Sequence, residues 1–149
     1  MPVSEIGDGY GMKIEEKKPI VSFHDLKVYQ NSYKASIDVM TKVIPKLPDL
    51  EKHDLRDQMS RACKAIPRLI AEGYAKKHQK SGFQKYLDDA MGECNEMIVC
   101  LSHCRDVYTK YIDAELCDKL IDLYDKCGRQ LYNLSISWRK FKSKERRLT

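Results

Sequence analysis

A proline set inside an unbroken apolar period is the feature that most limits what this chain can fold into. Residues 54–73 read DLRDQMSRACKAIPRLIAEG. Leu55, Met59, Ala62, Ile66, Ile70 and Gly73 recur at steps of three or four, and Cys63 and Leu69 widen the line. That spacing is one face of a helix. Pro67 withholds an amide proton and crowds the carbonyl of Cys63, at a typical cost of about 3 kcal/mol. The period nevertheless runs on to Ile70, so the pattern predicts one continuous helix over about residues 54–76, kinked at Pro67. A helix carrying such a cost needs neighbours against which to bury its apolar face.

The rest of the chain supplies them. Ser22 and Asp25 have capping-box spacing, and Leu26, Tyr29, Tyr33, Ile37, Met40, Ile44 and Leu47 then form a stripe ending near Pro45 and Pro48. This predicts a first helix over about 23–46. Ser81 and Gln84 form a second S-x-x-Q capping pattern, followed by Phe83, Leu87, Ala90, Cys94, Met97, Leu101, Cys104 and Tyr108. The third helix is expected over about 82–111, with Gly92 letting another helix approach closely. Asp113 caps a fourth, over about 114–142, whose line is Leu116, Leu120, Leu123, Cys127, Leu131, Leu134, Trp138 and Phe141. No strand-period run and no internal repeat is present. The reading is all-α, an antiparallel up-down-up-down four-helix bundle. It occupies residues 22–142, between a mobile leader (1–21) and a basic tail (143–149).

A chain of 149 residues, 42% apolar and 33% charged, suits one domain with its own core. No apolar run approaches the ~20 residues of a membrane span, and the N-terminus has no apolar signal core. A cytoplasmic protein with no membrane partner is therefore expected. The six cysteines (Cys63, Cys94, Cys100, Cys104, Cys117 and Cys127) form no C-x-x-C pair and are read as reduced core residues. Cys100, His103 and Cys104 lie within one helical turn and could in principle hold zinc. Cys104 belongs to the core stripe and no fourth ligand is evident, so packing is preferred and neither metal nor cofactor is expected. E-x-x-H pairs, phosphate loops and nucleophile elbows are absent. Glu72 and Glu96 lie near apolar faces without a visible catalytic partner, which favours helix-helix or inter-subunit pairing over acid–base chemistry. No catalytic residue is assigned.

The net charge of +5 is unevenly spread. Arg56, Arg61, Lys64, Arg68, Lys76, Lys77 and Lys80 occupy the second helix and its connection. Arg139, Lys140, Lys142, Lys144, Arg146 and Arg147 occupy the C-terminal end, while acids outnumber bases between Ser81 and Ile112. A basic stripe of this kind is a solvated face, a phosphate-contacting face or a subunit interface. The candidate nucleic-acid contacts are Arg61, Lys64, Arg68, Lys76, Lys77, Lys80, Arg139, Lys140 and Lys142. No aromatic residue interleaves the helix-two stripe, which speaks against a stacking platform there.

Several of these residues also carry a resemblance. Phe23-His-Asp-Leu-Lys-Val-Tyr-Gln30 resembles the F-x-D-L-x-V-(W/Y)-Q opening of the four-helix bundle family named after 23S rRNA intervening sequences. Pro48, Glu51, Leu55, Gln58, Arg61 and Ala62 match its next motif, and Ile66-Pro67 with Ile70-Ala71-Glu72-Gly73 match its S-I-P-x-N-I-A-E-G signature. Phe83, Leu87, Ala90, Gly92 and Glu96 fit its third-helix pattern. Ala65, Leu69 and Glu93 depart from the family's Ser, Asn and Ser. The resemblance implies a left-handed antiparallel bundle that assembles into a homopentameric ring, and without a convergent catalytic set the bundle is read as non-enzymatic. The accessory variability determinant proteins of diversity-generating retroelements look like relatives, which extends the implied partners to RNA, DNA and a reverse transcriptase. The competing expectation is a protein-interaction scaffold that binds no nucleic acid.

Overall fold

A computed structural model describes residues 19–148, so residues 1–18 of the expected leader, and Thr149, lie outside the described residues. The chain is an all-α four-helix bundle: α1 (Lys27–Asp38), α2 (Leu55–Ala75), α3 (Gly82–Val107) and α4 (Ala114–Leu148). The helix pairs in contact are α1–α2, α2–α3, α3–α4 and α4–α1. Neighbours in sequence are therefore neighbours in space, and the short links between them make each pair antiparallel.

α2 runs through Pro67 without a break, and its whole expected apolar line is buried together with Ala65 and Pro67. α3 agrees equally well, with Phe83, Leu87, Ala90, Cys94, Met97, Leu101 and Cys104 all inside the core. Gly73 explains how closely these two helices meet. A Cβ there would lie 2.7 Å from Tyr86 Cβ and 3.1 Å from Phe83 Cδ1, so a side chain would push α3 away. Gly92 behaves differently from expectation. It is exposed, and a Cβ there would meet nothing within 4 Å. Among the described residues no other helix uses it for close approach.

The first helix is shorter and more irregular than its predicted 23–46. Ser22 and Asp25 do form a capping box, but on a single 3-10 turn, Phe23–Asp25. After Asp38 the helix widens into a π-turn over Val39–Val43, in which the Ile44 amide donates to the Val39 carbonyl five residues back. A 3-10 turn over Ile44–Lys46 follows. Pro45 lies just past the wide turn and cannot donate to the carbonyl four residues earlier, so regular α spacing does not carry through it.

The buried face of the first helical segment is only partly the one its large residues suggest: Leu26 and Leu47 are buried, and Tyr29 and Ile44 pack against the core. Val28, Ser32, Ala35, Ser36, Val39 and Val43 point inward. Tyr33, Ile37 and Met40 are 51%, 44% and 38% exposed. The small residues let α1 sit close to its neighbours, and Asn31 Nδ2 donates to Gln130 Oε1 across the α1–α4 seam at 3.1 Å.

Four further expectations change. The Ser81–Gln84 capping box does not form. Ser81 is left-handed (φ 60°) and makes no side-chain cap, and Gln84 Nε2 instead donates to the Ser135 carbonyl at 3.4 Å. The third helix stops at Val107, not 111, because a turn closes there: the Tyr111 and Ile112 amides both donate to the Tyr108 carbonyl. Asp113 does cap α4, its Oδ1 accepting from the Glu115 amide at 2.9 Å. The helix then continues to Leu148, so the segment expected as a separate tail from 143 is continuous with it. Within α4, Tyr124 and Ser135 join the buried line and Phe141 leaves it, at 54% exposed.

Side chains tie the link between the first two helices to the rest. Arg56 Nη2 donates to the Leu47 carbonyl and pairs with Asp49 at 3.6 Å. Tyr108 Oη donates to Glu51, a bond that pushes the phenol up to about 12.

Candidate nucleic-acid interface

The nine basic residues singled out from the sequence separate into distinct surroundings. Arg61, Lys64 and Arg68 lie on the exposed side of α2 and line a groove of about 620 Å³ with Gln58, Ala62 and Ala65. Its far wall is Glu93 and Glu96 of α3. Arg68 also pairs with Glu72 at 3.2 Å, and Arg61 Nε donates to the Asp57 carbonyl at 3.4 Å. Burial first, then the hydrogen bond and charge of Glu96, hold the Glu93 carboxyl above its ordinary value, against the opposing pull of Arg68. The groove thus carries both signs of charge. It suits a complementary protein surface better than a polyphosphate chain.

Lys76 and Lys77, at the C-terminal end of α2, are engaged by aromatic rings. Lys76 Nζ donates to Tyr86 Oη at 2.6 Å and lies 4.9 Å from that ring's centre. This bond raises the lysine above its ordinary value. Lys77 Nζ sits 3.6 Å from the centre of the Tyr74 ring. Both ammonium groups thus have an aromatic partner within the fold, Lys76 while remaining exposed. Lys140 is exposed on α4.

The remaining three, Lys80, Arg139 and Lys142, converge. With His78, Ser81, Gln84, Trp138, Glu145 and Arg146 they line a half-open cavity of about 390 Å³. It forms where the α2–α3 link meets the distal part of α4. Four permanent cations, Lys80, Arg139, Lys142 and Arg146, share it with one carboxylate, Glu145, which pairs with Lys142 at 3.7 Å. Arg139 also borders an adjoining cavity, lined by Lys85, Asp88 and Asp89 of α3. Ser81 puts a left-handed backbone at the cavity wall, a strained conformation for a residue with a Cβ.

An aromatic wall completes the cavity. Trp138 meets Phe83 edge-on at 5.5 Å and stacks with Phe141 at 5.2 Å. Lys142 Nζ lies 5.6 Å from the Trp138 ring. Sequence reasoning placed both rings on the core line of α4; Trp138 does pack against the core, and what was missed is its place at the cavity wall. The signal was nonetheless present in Trp138-Arg-Lys-Phe-Lys142, where aromatic and basic residues alternate.

The cysteines point to structure. All six are buried free thiols. Burial pushes Cys63, Cys100 and Cys127 up to about 11 and Cys104 up to about 12, and it raises Cys94 and Cys117 as well. Such thiols are poor nucleophiles at neutral pH. His103 is exposed, whereas Cys100 and Cys104 turn into the core, Cys104 Sγ meeting Met59 Sδ at 3.6 Å. Among the described residues no group of three or more potential ligands could hold a metal ion. No helix among them is long and apolar enough to cross a membrane.

No curated protein and no solved structure matches the chain. The profile of one family, described as 23S rRNA-intervening sequence protein, matches residues 24–133. That span takes in α1, α2, α3 and the charged α2 groove, and ends before Trp138. An all-α four-helix bundle whose matched span covers most of its length, this chain belongs to the 23S rRNA-intervening sequence protein family.

Proposed function

We propose that the protein is a non-enzymatic, cytoplasmic nucleic-acid-binding bundle whose contact surface is the cavity between the α2–α3 link and distal α4. The observation that carries this reading is the convergence of Lys80, Arg139, Lys142 and Arg146 on one cavity facing a single carboxylate. Clustered cations release the counterions condensed on a phosphate backbone, and that release drives association. Five copies in a ring would present five such cavities, and linked weak contacts gain by avidity. The direct test is binding of mixed-sequence RNA and DNA to the purified chain as salt rises from about 50 to 200 mM. Affinity is expected to fall steeply over that range. No binding at the lowest salt defeats the proposal.

A second reading concerns the α2 groove. Its mixed charge, with Arg61, Lys64 and Arg68 opposite Glu93 and Glu96, favours a protein partner there: another copy of the chain, or an RNA-bound protein such as a reverse transcriptase. The exposed apolar stripe Tyr33, Ile37 and Met40 adds surface for self-association, and a homopentamer is the assembly we propose. Light scattering coupled to gel filtration tests it. A particle of 17.4 kDa, the mass of one chain, rules the ring out.

A further inference from the structure

We propose that the end cavity accepts one unpaired nucleotide of a single-stranded nucleic acid, with its base packed on Trp138 and its phosphate held by Lys80, Arg139 and Lys142. This rests on the nucleic-acid reading of the same cavity and narrows the ligand class.

Three observations carry it. The first is size. A volume of about 390 Å³ lies near the small end of ligand pockets, roughly 300–1,000 Å³. It has room for one nucleotide unit and not for a base pair with its second strand attached. The second is the wall. Trp138 is the one large ring lining the cavity, held edge-on by Phe83 and backed by Phe141 in a near-parallel stack. An indole offers a flat apolar face, which every base can match irrespective of sequence. A duplex shows a protein only base edges in its grooves, so packing against a ring requires a base that is already unpaired. The third is how the charge is arranged. The cations rim the same cavity that Trp138 walls, so phosphate and base are addressed together. A purely electrostatic surface would not need the ring, and a purely apolar pocket would not need the cations.

Trp138 is the only tryptophan in the sequence, so tryptophan emission comes from the wall of this cavity. The experiment titrates the full chain at about 50 mM salt with a twelve-nucleotide oligothymidylate, a blunt twelve-base-pair duplex and thymidine monophosphate. Tryptophan emission and the anisotropy of labelled nucleic acids are followed. The expected result is saturable quenching by the single strand, about tenfold tighter than duplex binding. Trp138→Ala is expected to erase that preference. Trp138→Phe, which keeps a ring, should retain part of it, and Phe141→Ala at its exposed position should weaken it with the helical circular-dichroism signal intact.

Equal binding of strand and duplex with unchanged tryptophan emission overturns the single-strand inference and leaves nucleic-acid binding standing. Quenching by the monophosphate as tight as by the strand also overturns it, since the cavity then serves free nucleotides. Absence of binding to both strand and duplex overturns this inference together with the function on which it rests.

Discussion

The α2 groove and the end cavity look alike in sequence and differ in space. Each is announced by three or more basic residues within one short stretch. In the groove, Arg61, Lys64 and Arg68 face Glu93 and Glu96 of the neighbouring helix, and Arg68 is further tied to Glu72. In the cavity, cations from two distant stretches converge on a single carboxylate. A run of like charge therefore says little about local potential. What the neighbouring elements place beside it decides how many acids share the surface with it.

The sharpest way to break this contrast is charge reversal at each site in turn. Arg139→Glu with Lys142→Glu should weaken nucleic-acid binding by about 30-fold or more at 50–100 mM salt, and flatten the salt dependence by about 0.7 in logarithmic slope for each lost contact on a single strand. Reversing Arg61, Lys64 and Arg68 together should change that affinity by less than about threefold. The opposite ranking in a binding titration would put the interface on α2.

A smaller effect probes the packing that keeps the two regions apart. Gly73→Ala puts a methyl 2.7 Å from Tyr86 Cβ and forces α2 from α3. It should cost about 2 kcal/mol and lower Tm by roughly 5–10 °C. A Tm within a degree of the parent chain would show that the interface yields freely.

Smaller still is a pH effect confined to the groove. Glu93 is held above the ordinary carboxylate value, so between the unfolded and the folded value the folded chain keeps a proton that the unfolded chain has released. Stability then falls as pH rises through the folded value, while below the ordinary carboxylate value both states are protonated and nothing is lost. Glu93→Gln should melt higher than the parent at pH 7, and the gain should vanish on acidification below about pH 4. Parallel Tm profiles across that range would mean Glu93 carries no such strain. The smallest effect is at the cavity wall. Ser81→Gly relieves a left-handed backbone but frees the unfolded chain as well, so a Tm increase of about 1–3 °C is expected by calorimetry, and a decrease would show that the serine side chain contributes to the turn.

The fold was legible where a helix has one apolar face. α2 and α3 present a single continuous line each, and both bury it. α1 has two apolar faces, and the pattern chose the one with larger residues. The core instead took Ser32, Ala35 and Ser36, because close approach between helices rewards small side chains that a hydrophobicity pattern ranks low. The same limit hid the aromatic wall. Trp138 and Phe141 keep the spacing of the α4 core line; Trp138 is half-buried and packs against Phe83 of α3, while Phe141, about one turn further out, has no such cover. A periodic position is buried only while a neighbour is there to cover it. The cations at 80, 139 and 142 were legible as charges. Their convergence was not, since it depends on where the α2–α3 link lies against a helix about 60 residues further on.

The length of α4 has a consequence for how the molecule responds to a ligand. Its 35 residues extend about 50 Å, and its side chains become exposed over Lys144–Leu148. Backbone hydrogen bonds there are sustained by local helix strength alone, whereas those around Tyr124 break only with the core. Cooperativity therefore declines along a single helix, and the cavity lies on that slope. Amide exchange would be slow in one half of α4 and fast in the other, and an occupant bridging Lys80 to Arg139 and Lys142 would move the boundary outward. On the proposed function, the ligand-binding end would be the part of α4 that loosens first, with the bundle beneath it still folded.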